Sequence, residues 1–492
     1  MLMLDDLLRP WGVIAPNREV QNITLDSRTL QPGELFLAVR GHEVDGRNYI
    51  TSAIGKGASA VVVECDSHQQ HGSCEVRDGV PCLSFWQLSM HLSAIAARFY
   101  GQPAEQMAVV GVTGTNGKST ISHLVANWCQ LLGQQSAVMG TLGNGLWQKI
   151  RPGTNTTASA VECQQLLAQF VKQRVDVVAM EVSSHGLDQF RVDGIPFRVA
   201  VFSNLSRDHL DYHGDLQSYA EAKSRLFSFS SVEHRVINAD DLLGRGLIQQ
   251  YPQSIAYSLK GRPLAHPGDS IWVEAIEFSD SGFCARIGSS FGRGELKVPL
   301  LGEFNVENVL AALGSMLALG YEWNALLDVA PRLMAVSGRM ELFSSENHPA
   351  MVVDYAHTPD ALHKALLAVR QHCRGTLWCI FGCGGDRDRG KRSQMMALAE
   401  EHADRVVVTD DNPRRESPGQ IVSEILAGAD KPERVQVIHQ RDQAIRWAFE
   451  QAAKDDLILV AGKGHEDYQI VGDKVLDFSD RQWVRELQES QS

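Results

Sequence analysis

The run Val109-Val-Gly-Val-Thr-Gly-Thr-Asn-Gly-Lys-Ser-Thr120 admits few folds. Met107 to Val112 is an apolar, β-branched stretch that reads as a buried parallel strand. Gly114 and Gly117 make a tight loop, and Ile121 to Leu132 carries apolar residues at helical spacing. Strand, glycine loop and helix in that order form a phosphate loop. Backbone N–H groups and the positive end of the helix surround a polyphosphate, Lys118 reaches the outer phosphates, and the Ser119 hydroxyl can ligate Mg2+. The widespread form of the motif has a glycine five residues before Gly117, where this chain has Val112; its own glycines are Gly111, Gly114 and Gly117. The chain is therefore expected to bind a nucleoside triphosphate through Gly114, Thr115, Asn116, Gly117, Lys118, Ser119 and Thr120.

Around this loop, 492 residues of ordinary globular composition (44% hydrophobic, 21% charged) suggest about three domains. A formal net charge of −13 argues against a general nucleic-acid or membrane-surface binder, which leaves a small-molecule partner. No run of about 18 apolar residues exists, and Asp5 and Asp6 stand where a secretory signal needs basic then apolar residues, so the expected location is the cytoplasm. The nine cysteines lack paired metal spacing and read as reduced thiols. Without a coiled-coil or repeat pattern, a monomer is the default expectation.

Short strand-like runs, Leu35 to Val39 and Ala58 to Glu64, and a turn at Gln31-Pro32-Gly33-Glu34 mark a first unit, residues 1–87. A second, 88–337, alternates strand and helix through Val175 to Val182, Arg198 to Asn204 and Arg235 to Asn238, the pattern of a parallel sheet covered on both faces. Short alternating runs between 254 and 300 suggest an antiparallel extension. A third unit, 338–492, has strands at Met351 to Asp354, Thr376 to Phe381, Arg405 to Thr409 and Asp456 to Val460, each followed by a polar loop where open α/β sheets gather ligands. The fold class is α/β.

Two loops after central strands carry Glu181-Val-Ser-Ser-His-Gly-Leu-Asp-Gln-Phe-Arg191 and Asn204-Leu-Ser-Arg-Asp-His209, and Asn155-Thr156-Thr157 precedes both. A carboxylate and an imidazole at neighbouring strand ends beside a phosphate loop can share Mg2+, which makes Glu181 and His209 metal candidates. His185 and His213 read as hydrogen-bonded loop residues, and Lys223 by itself as a solvated helix lysine.

Asp26-Ser-Arg28, the phosphate loop, Asn155-Thr-Thr157, Glu181-Val-Ser-Ser-His-Gly186, Ser206-Arg-Asp-His-Leu-Asp211, Lys223, Gly302-Glu-Phe-Asn-Val-Glu-Asn308, Ser337-Gly-Arg-Met-Glu341 and Asp354-Tyr-Ala-His357 occur in the order and spacing of the Mur ligases. The resemblance spans essentially the whole chain. It implies three domains: an N-terminal α/β UDP-binding domain, a central phosphate-loop ATPase domain with a parallel sheet, and a Rossmann-like C-terminal domain that carries the amino acid. By position it implies that Glu181 and His209 ligate Mg2+ with Ser119, and that Lys223 is carbamylated by CO2 and serves as a further oxygen ligand. Lys118, Lys223, Glu181 and His209 are thus the expected catalytic set. Leu25, Ser27, His42, Glu43, Val44, Asn155, Thr156, Thr157, Ser183, Gln189 and Arg191 resemble positions that bind the UDP-muramoyl dipeptide, UDP-N-acetylmuramoyl-L-Ala-D-Glu. Asn305, Arg339 and Asp354 resemble nucleotide contacts.

Asp411-Asn412-Pro413-Arg414 reads locally as a turn fixed by proline. Among family members that add the third amino acid of the peptidoglycan precursor, it resembles the signature for meso-2,6-diaminopimelate, whose distal carboxylate a guanidinium can grip bidentately. Arg387, Gly462 and Glu466 complete that resemblance, with Glu466 expected to meet the distal ammonium. The reaction expected is ATP-dependent amide ligation. The alternatives are the same ligation with L-lysine, a folylpolyglutamate synthetase-like ligase, and an ATP-hydrolysing switch.

Overall fold

The computed structural model describes residues 2–41, 44–153, 155–263 and 266–489. His42 and Glu43 lie outside the described residues. The chain forms two compact units, one from residues 1–256, 265–269 and 311–321, the other from 257–264, 270–310 and 322–492.

Beside the short pair Leu2–Met3/Glu19–Val20, the first unit holds two larger sheets among the described residues. In the N-terminal one the order is Ile23–Thr24, Leu35–Ala38, Ala60–Cys65, Val80–Trp86 and Cys74–Arg77, parallel except for the last pair. Alternate residues of its strands face opposite ways, so each face has its own core. Leu35, Leu37, Ala60, Val62, Leu83 and Phe85 pack with Leu88, Leu92, Ile95 and Ala96 of the helix Leu88–Phe99. Phe36, Ala38 and Val61 pack with Ile50 and Ala53 of the helix Ile50–Gly55.

The central sheet runs Lys149–Arg151, Gly143–Leu146, Ser136–Gly140, Val177–Glu181, Ala108–Thr113, Val199–Phe202 and His234–Asn238. Its last five strands are parallel, and the first two add an antiparallel hairpin. Strands covered on both faces lose the alternation of polar and apolar residues. Accordingly, Val109, Val110 and Val112 in succession are all inaccessible to solvent. The phosphate-loop strand lies between Val177–Glu181 and Val199–Phe202, so the loops after all three strands open at one end of the sheet.

In the second unit Ser270–Ser279, Gly282–Ser289 and Gly292–Val298 form the expected antiparallel ladder. A six-stranded sheet follows in the order Glu341–Phe343, Ala350–Asp354, Leu457–Ala461, Leu377–Phe381, Arg405–Val408 and Val435–Val437, antiparallel only at the first strand. One face packs Val352, Cys379, Phe381 and Leu459 under the helices Pro359–Arg370 and Gly390–His402; the other packs Met351, Ile380, Val407 and Val460 under Arg441–Gln451. Among the described residues no helix is long and apolar enough to cross a membrane, and all nine cysteines are unpaired.

Candidate active site

Gly117, at φ +87°, starts the helix Lys118–Leu131, and no side chain caps its first turn. Those first N–H groups, with the partial positive charge of a 14-residue helix, are an anion site by construction. The loop is pinned from below: Thr115 N–H donates to the Asn204 carbonyl at 2.8 Å and Asn116 N–H to the Asn204 side chain at 3.0 Å. A Cβ on Gly114 (φ +144°) would stand 1.9 Å from the Ser203 hydroxyl, so only glycine lets the loop approach that strand.

The Lys118 ammonium donates to the carbonyls of Gly114 (3.0 Å) and Thr115 (2.8 Å). Lys223, on the helix Leu216–Ser228, donates to the same Gly114 carbonyl at 2.8 Å. It is not a solvated helix lysine: it is 1% exposed, with its ammonium 4.3 Å from the Tyr219 ring. Burial, and then the Lys118 charge beside it, pull its pKa down to about 6. Lys223 is therefore mostly an uncharged amine at neutral pH, a nucleophile rather than a cation.

Glu181, the last residue of its strand and 1% exposed, accepts a hydrogen bond from the Ser119 hydroxyl at 2.8 Å. Thr141 donates to it twice, from its N–H at 2.9 Å and its hydroxyl at 3.1 Å. A Cβ on Gly140 would come within 2.2 Å of the carboxylate, so a glycine leaves the space that the carboxylate fills. Paired hydroxyl and carboxylate oxygens at a helix N-terminus fit a hard divalent cation such as Mg2+, with phosphate and water completing its shell. Among the described residues no three His, Cys, Asp or Glu side chains gather as a self-sufficient metal nest.

His209 holds a left-handed backbone (φ +50°), and its ring lies 5.0 Å from His185 and 6.1 Å from Tyr219, so it shares Tyr219 with Lys223. No direct contact joins His209 to Glu181 here. His185 sits in the short helix Ser184–Asp188 rather than in a loop, and burial lowers its pKa. His213 meets the Ser184 hydroxyl at 2.9 Å, the hydrogen-bonded role expected of it.

Several residues expected to bind the sugar-nucleotide peptide are joined in one network. The Thr157 hydroxyl donates to the Glu181 carbonyl at 3.0 Å and accepts from Ser183 N–H at 2.9 Å. Arg191 donates to the Thr157 carbonyl at 2.7 Å and to Gln189 at 3.0 Å from Nε, and the Thr156 and Thr141 hydroxyls are 3.0 Å apart. In the N-terminal sheet region Ser27 is buried, Leu25 packs against the core, Val44 is exposed, and Asp26 pairs with Arg28.

In the second unit the loops after Leu377–Phe381, Arg405–Val408 and Leu457–Ala461 bring the diaminopimelate candidates together. Asn412 donates to Glu466 at 3.1 Å, and a Cβ on Gly462 (φ +120°) would lie 3.5 Å from Asp411. A Cβ on Gly384 would lie 2.9 Å from the Arg414 guanidinium and 3.7 Å from Arg387, so the two arginines flank that glycine. Arg414 (φ +51°) donates from its guanidinium to the Gly385 carbonyl at 2.9 Å and from its N–H to Ile470 at 3.0 Å, and accepts from Gly472 N–H at 2.7 Å. Pro413 is buried between them. Asp354 accepts from the N–H groups of Met340 (2.8 Å) and Ala356 (2.9 Å), while Arg339 lies 4.6 Å over the Tyr355 ring. Asn305 is engaged locally, donating to Leu301 at 2.8 Å and accepting from Asn308 at 3.1 Å.

Sequence reasoning missed Thr141, which fixes Glu181; Tyr219, which separates Lys223 from His209; and the hairpin Tyr468–Val471/Lys474–Asp477, which pairs with Arg414. It also passed over Lys463. For the hairpin the signal was present, because Gly472-Asp473 is a two-residue turn between alternating runs.

Three family profiles match the chain in succession: the Mur ligase family catalytic domain at 19–100, the Mur ligase middle domain at 112–316, and the Mur ligase glutamate ligase domain at 338–464. Among solved structures, a UDP-N-acetylmuramoyl-L-alanyl-D-glutamate--2,6-diaminopimelate ligase is 35% identical, with 100% of this chain and 99% of that one aligned at a TM-score of 0.75. The UDP-N-acetylmuramoylalanyl-D-glutamyl-2,6-diaminopimelate--D-alanyl-D-alanyl ligase of Acinetobacter baumannii is 16% identical over 94% of this chain and 95% of its own, at a TM-score of 0.64. A Mycobacterium tuberculosis folylpolyglutamate synthase, solved with ADP and AMPPCP, is 18% identical over 76% and 92%, at 0.59. The last two share the fold.

Proposed function

The chain belongs to the Mur ligase family, and we propose that, as an ATP-dependent acid–amino-acid ligase, it joins meso-2,6-diaminopimelate to the D-glutamate γ-carboxylate of UDP-N-acetylmuramoyl-L-Ala-D-Glu. The observation that carries the substrate reading is the arrangement of Arg387, Asp411, Asn412, Arg414 and Glu466 at adjoining strand ends, cationic at one side and anionic at the other. Such a pair of ends suits a distal centre bearing both a carboxylate and an ammonium. L-lysine has no carboxylate to offer Arg414.

The γ-phosphoryl of ATP passes to the D-glutamate carboxylate, giving an acyl phosphate and ADP. The amine of diaminopimelate then attacks the acyl carbon, and phosphate leaves from the tetrahedral intermediate. Lys118 and the uncapped N–H groups after Gly117 hold the phosphates and offset the charge that builds as phosphoryl and carboxylate anions meet. Ser119, Glu181 and His209 would hold Mg2+, and the carbamate expected on Lys223 would offer an oxygen ligand to a second ion. When bound, the metal supplies Lewis-acid neutralisation of phosphate oxygens. The uncharged Lys223 amine can add to CO2, forming an N–C bond and losing a proton to solvent, which turns a nitrogen base into a carboxylate-like ligand. Thr157, Ser183, Gln189 and Arg191 would seat the dipeptide of the sugar nucleotide, and Asn305, Arg339 and Asp354 would contact ATP. We place this step of peptidoglycan-precursor synthesis in the cytoplasm, carried out by a monomer.

The deciding experiment follows phosphate release with ATP, Mg2+ and the UDP-muramoyl dipeptide, in parallel with meso-diaminopimelate, L-lysine or no amino acid, with mass analysis of product. Product with diaminopimelate alone is expected. Product with lysine would overturn the reading of Arg414, and phosphate without any ligated product would overturn the ligase.

A further inference from the structure

Lys463 lies just past the strand Leu457–Ala461 and has no exposed surface at all. Its ammonium has three N–H donors and meets three acceptors: Asn412 Oδ1 at 3.1 Å, Asp411 Oδ1 at 3.4 Å and Glu466 Oε2 at 3.4 Å. Every donor is used inside the protein, so the side chain has none left for a substrate.

Its partners are the groups that build the anionic end of the amino-acid pocket. Asp411 and Glu466 are two carboxylates converging on one point. Without a cation between them they would repel, and one would turn away. Asn412 is braced at the same time, its Oδ1 taking Lys463 and Ile470 N–H (2.9 Å) while its amide nitrogen donates to Glu466 at 3.1 Å. The cationic end is fixed by other means, since Arg414 is tied to Gly385, Ile470 and Gly472 and makes no contact with Lys463.

We propose that Lys463 is a positioning residue for amino-acid selection, holding Glu466 in place and aimed at the distal ammonium of the substrate while leaving the grip of Arg414 on the distal carboxylate untouched. This rests on the reading of the pocket as a diaminopimelate site. It predicts a division of labour within one small stereocentre: loss of Lys463 blinds the pocket to the amine and leaves it able to sense the acid.

The test compares steady-state KM for meso-diaminopimelate with KM for 2-aminopimelate, which keeps the chain and the distal carboxylate but has hydrogen in place of the distal amine. In Lys463→Met the KM for diaminopimelate is expected to rise about 10- to 100-fold while that for 2-aminopimelate moves by less than about twofold, so that the two converge. KM for ATP should stay near the wild-type value, and Glu466→Gln should reproduce the selective rise for diaminopimelate. If Lys463→Met does not fold, Lys463→Gln, which keeps two of the three donors and no charge, should give the same selective rise on a smaller scale. A parallel rise for both amino acids, or no rise for either, would overturn the proposal, since general damage to the pocket cannot distinguish the two compounds. A wild-type enzyme that turns over lysine and not diaminopimelate would instead overturn the reading on which the proposal rests.

Discussion

Two ammonium groups converge on the Gly114 carbonyl, and the structure resolves the conflict by discharging one of them. Lys118 lies at the mouth of the helix, where the phosphates are expected. Lys118→Ala is expected to abolish ATP-dependent turnover, by at least about a thousandfold, while leaving the chain folded. Phosphate release and thermal unfolding on the same sample check both halves. Lys223 makes a different demand. With its folded pKa near 6 and an unfolded value near 10.5, the unfolded chain carries one more proton between those limits, so stability rises with pH across the window and the full penalty is present below about pH 6. In CO2-free buffer the stability of wild type relative to Lys223→Met should rise between pH 7 and 9, by up to about 1.4 kcal/mol per pH unit, as read from denaturant midpoints. A flat difference would show that the amine is charged in the fold. The composition of the helix Tyr219-Ala-Glu-Ala-Lys223 gives no sign of this burial, because it depends on the loop that Lys223 meets at Gly114, 109 residues away in sequence.

Strands were the legible elements. Runs of β-branched residues placed Ala108–Thr113, Val199–Phe202, Leu377–Phe381 and Arg405–Val408 to within a residue or two, because strands buried on both faces advertise themselves as unbroken apolar runs. The strand Ser136–Gly140 and the exposed hairpin Tyr468–Asp477 escaped, the first because Ser-Ala-Val-Met-Gly holds a single β-branched residue and the second for lack of a buried face. Their loss hid two supports of the candidate site, since Gly140-Thr141 frames Glu181 and the hairpin backbone holds Arg414. Gly140→Ala tests the first support at the level of the strand end. The added methyl overlaps Glu181 and should cost about 1–3 kcal/mol of stability and lower kcat at least about tenfold through displacement of the carboxylate from Ser119. Unchanged kcat would mean that the Ser119–Glu181 pair does not take part in the reaction.

At the scale of the whole chain, the residues expected to bind phosphate and those expected to bind the amino acid fall in different compact units, each built on its own sheets and cores. Hydrogen exchange should report this division: ADP with Mg2+ is expected to slow exchange of backbone amides in 111–121, and diaminopimelate alone those in 384–416 and 462–472, with no protection of the latter segments by lysine. Protection of the phosphate loop by the amino acid alone would contradict the assignment. The α/β class followed from the order of strand and helix runs, whereas the pairing of distant loops into networks, such as Thr157 with Glu181 and Ser183, became visible only in three dimensions. Phe190, His209, Met340, Asp386 and Arg414 all hold left-handed backbones that L side chains avoid by roughly 1–2 kcal/mol each, and each lies at or beside a candidate site residue. A laboratory lineage of this chain selected only for survival at high temperature would therefore drift toward glycine or asparagine at those five positions, gaining heat resistance while losing its choice of substrate.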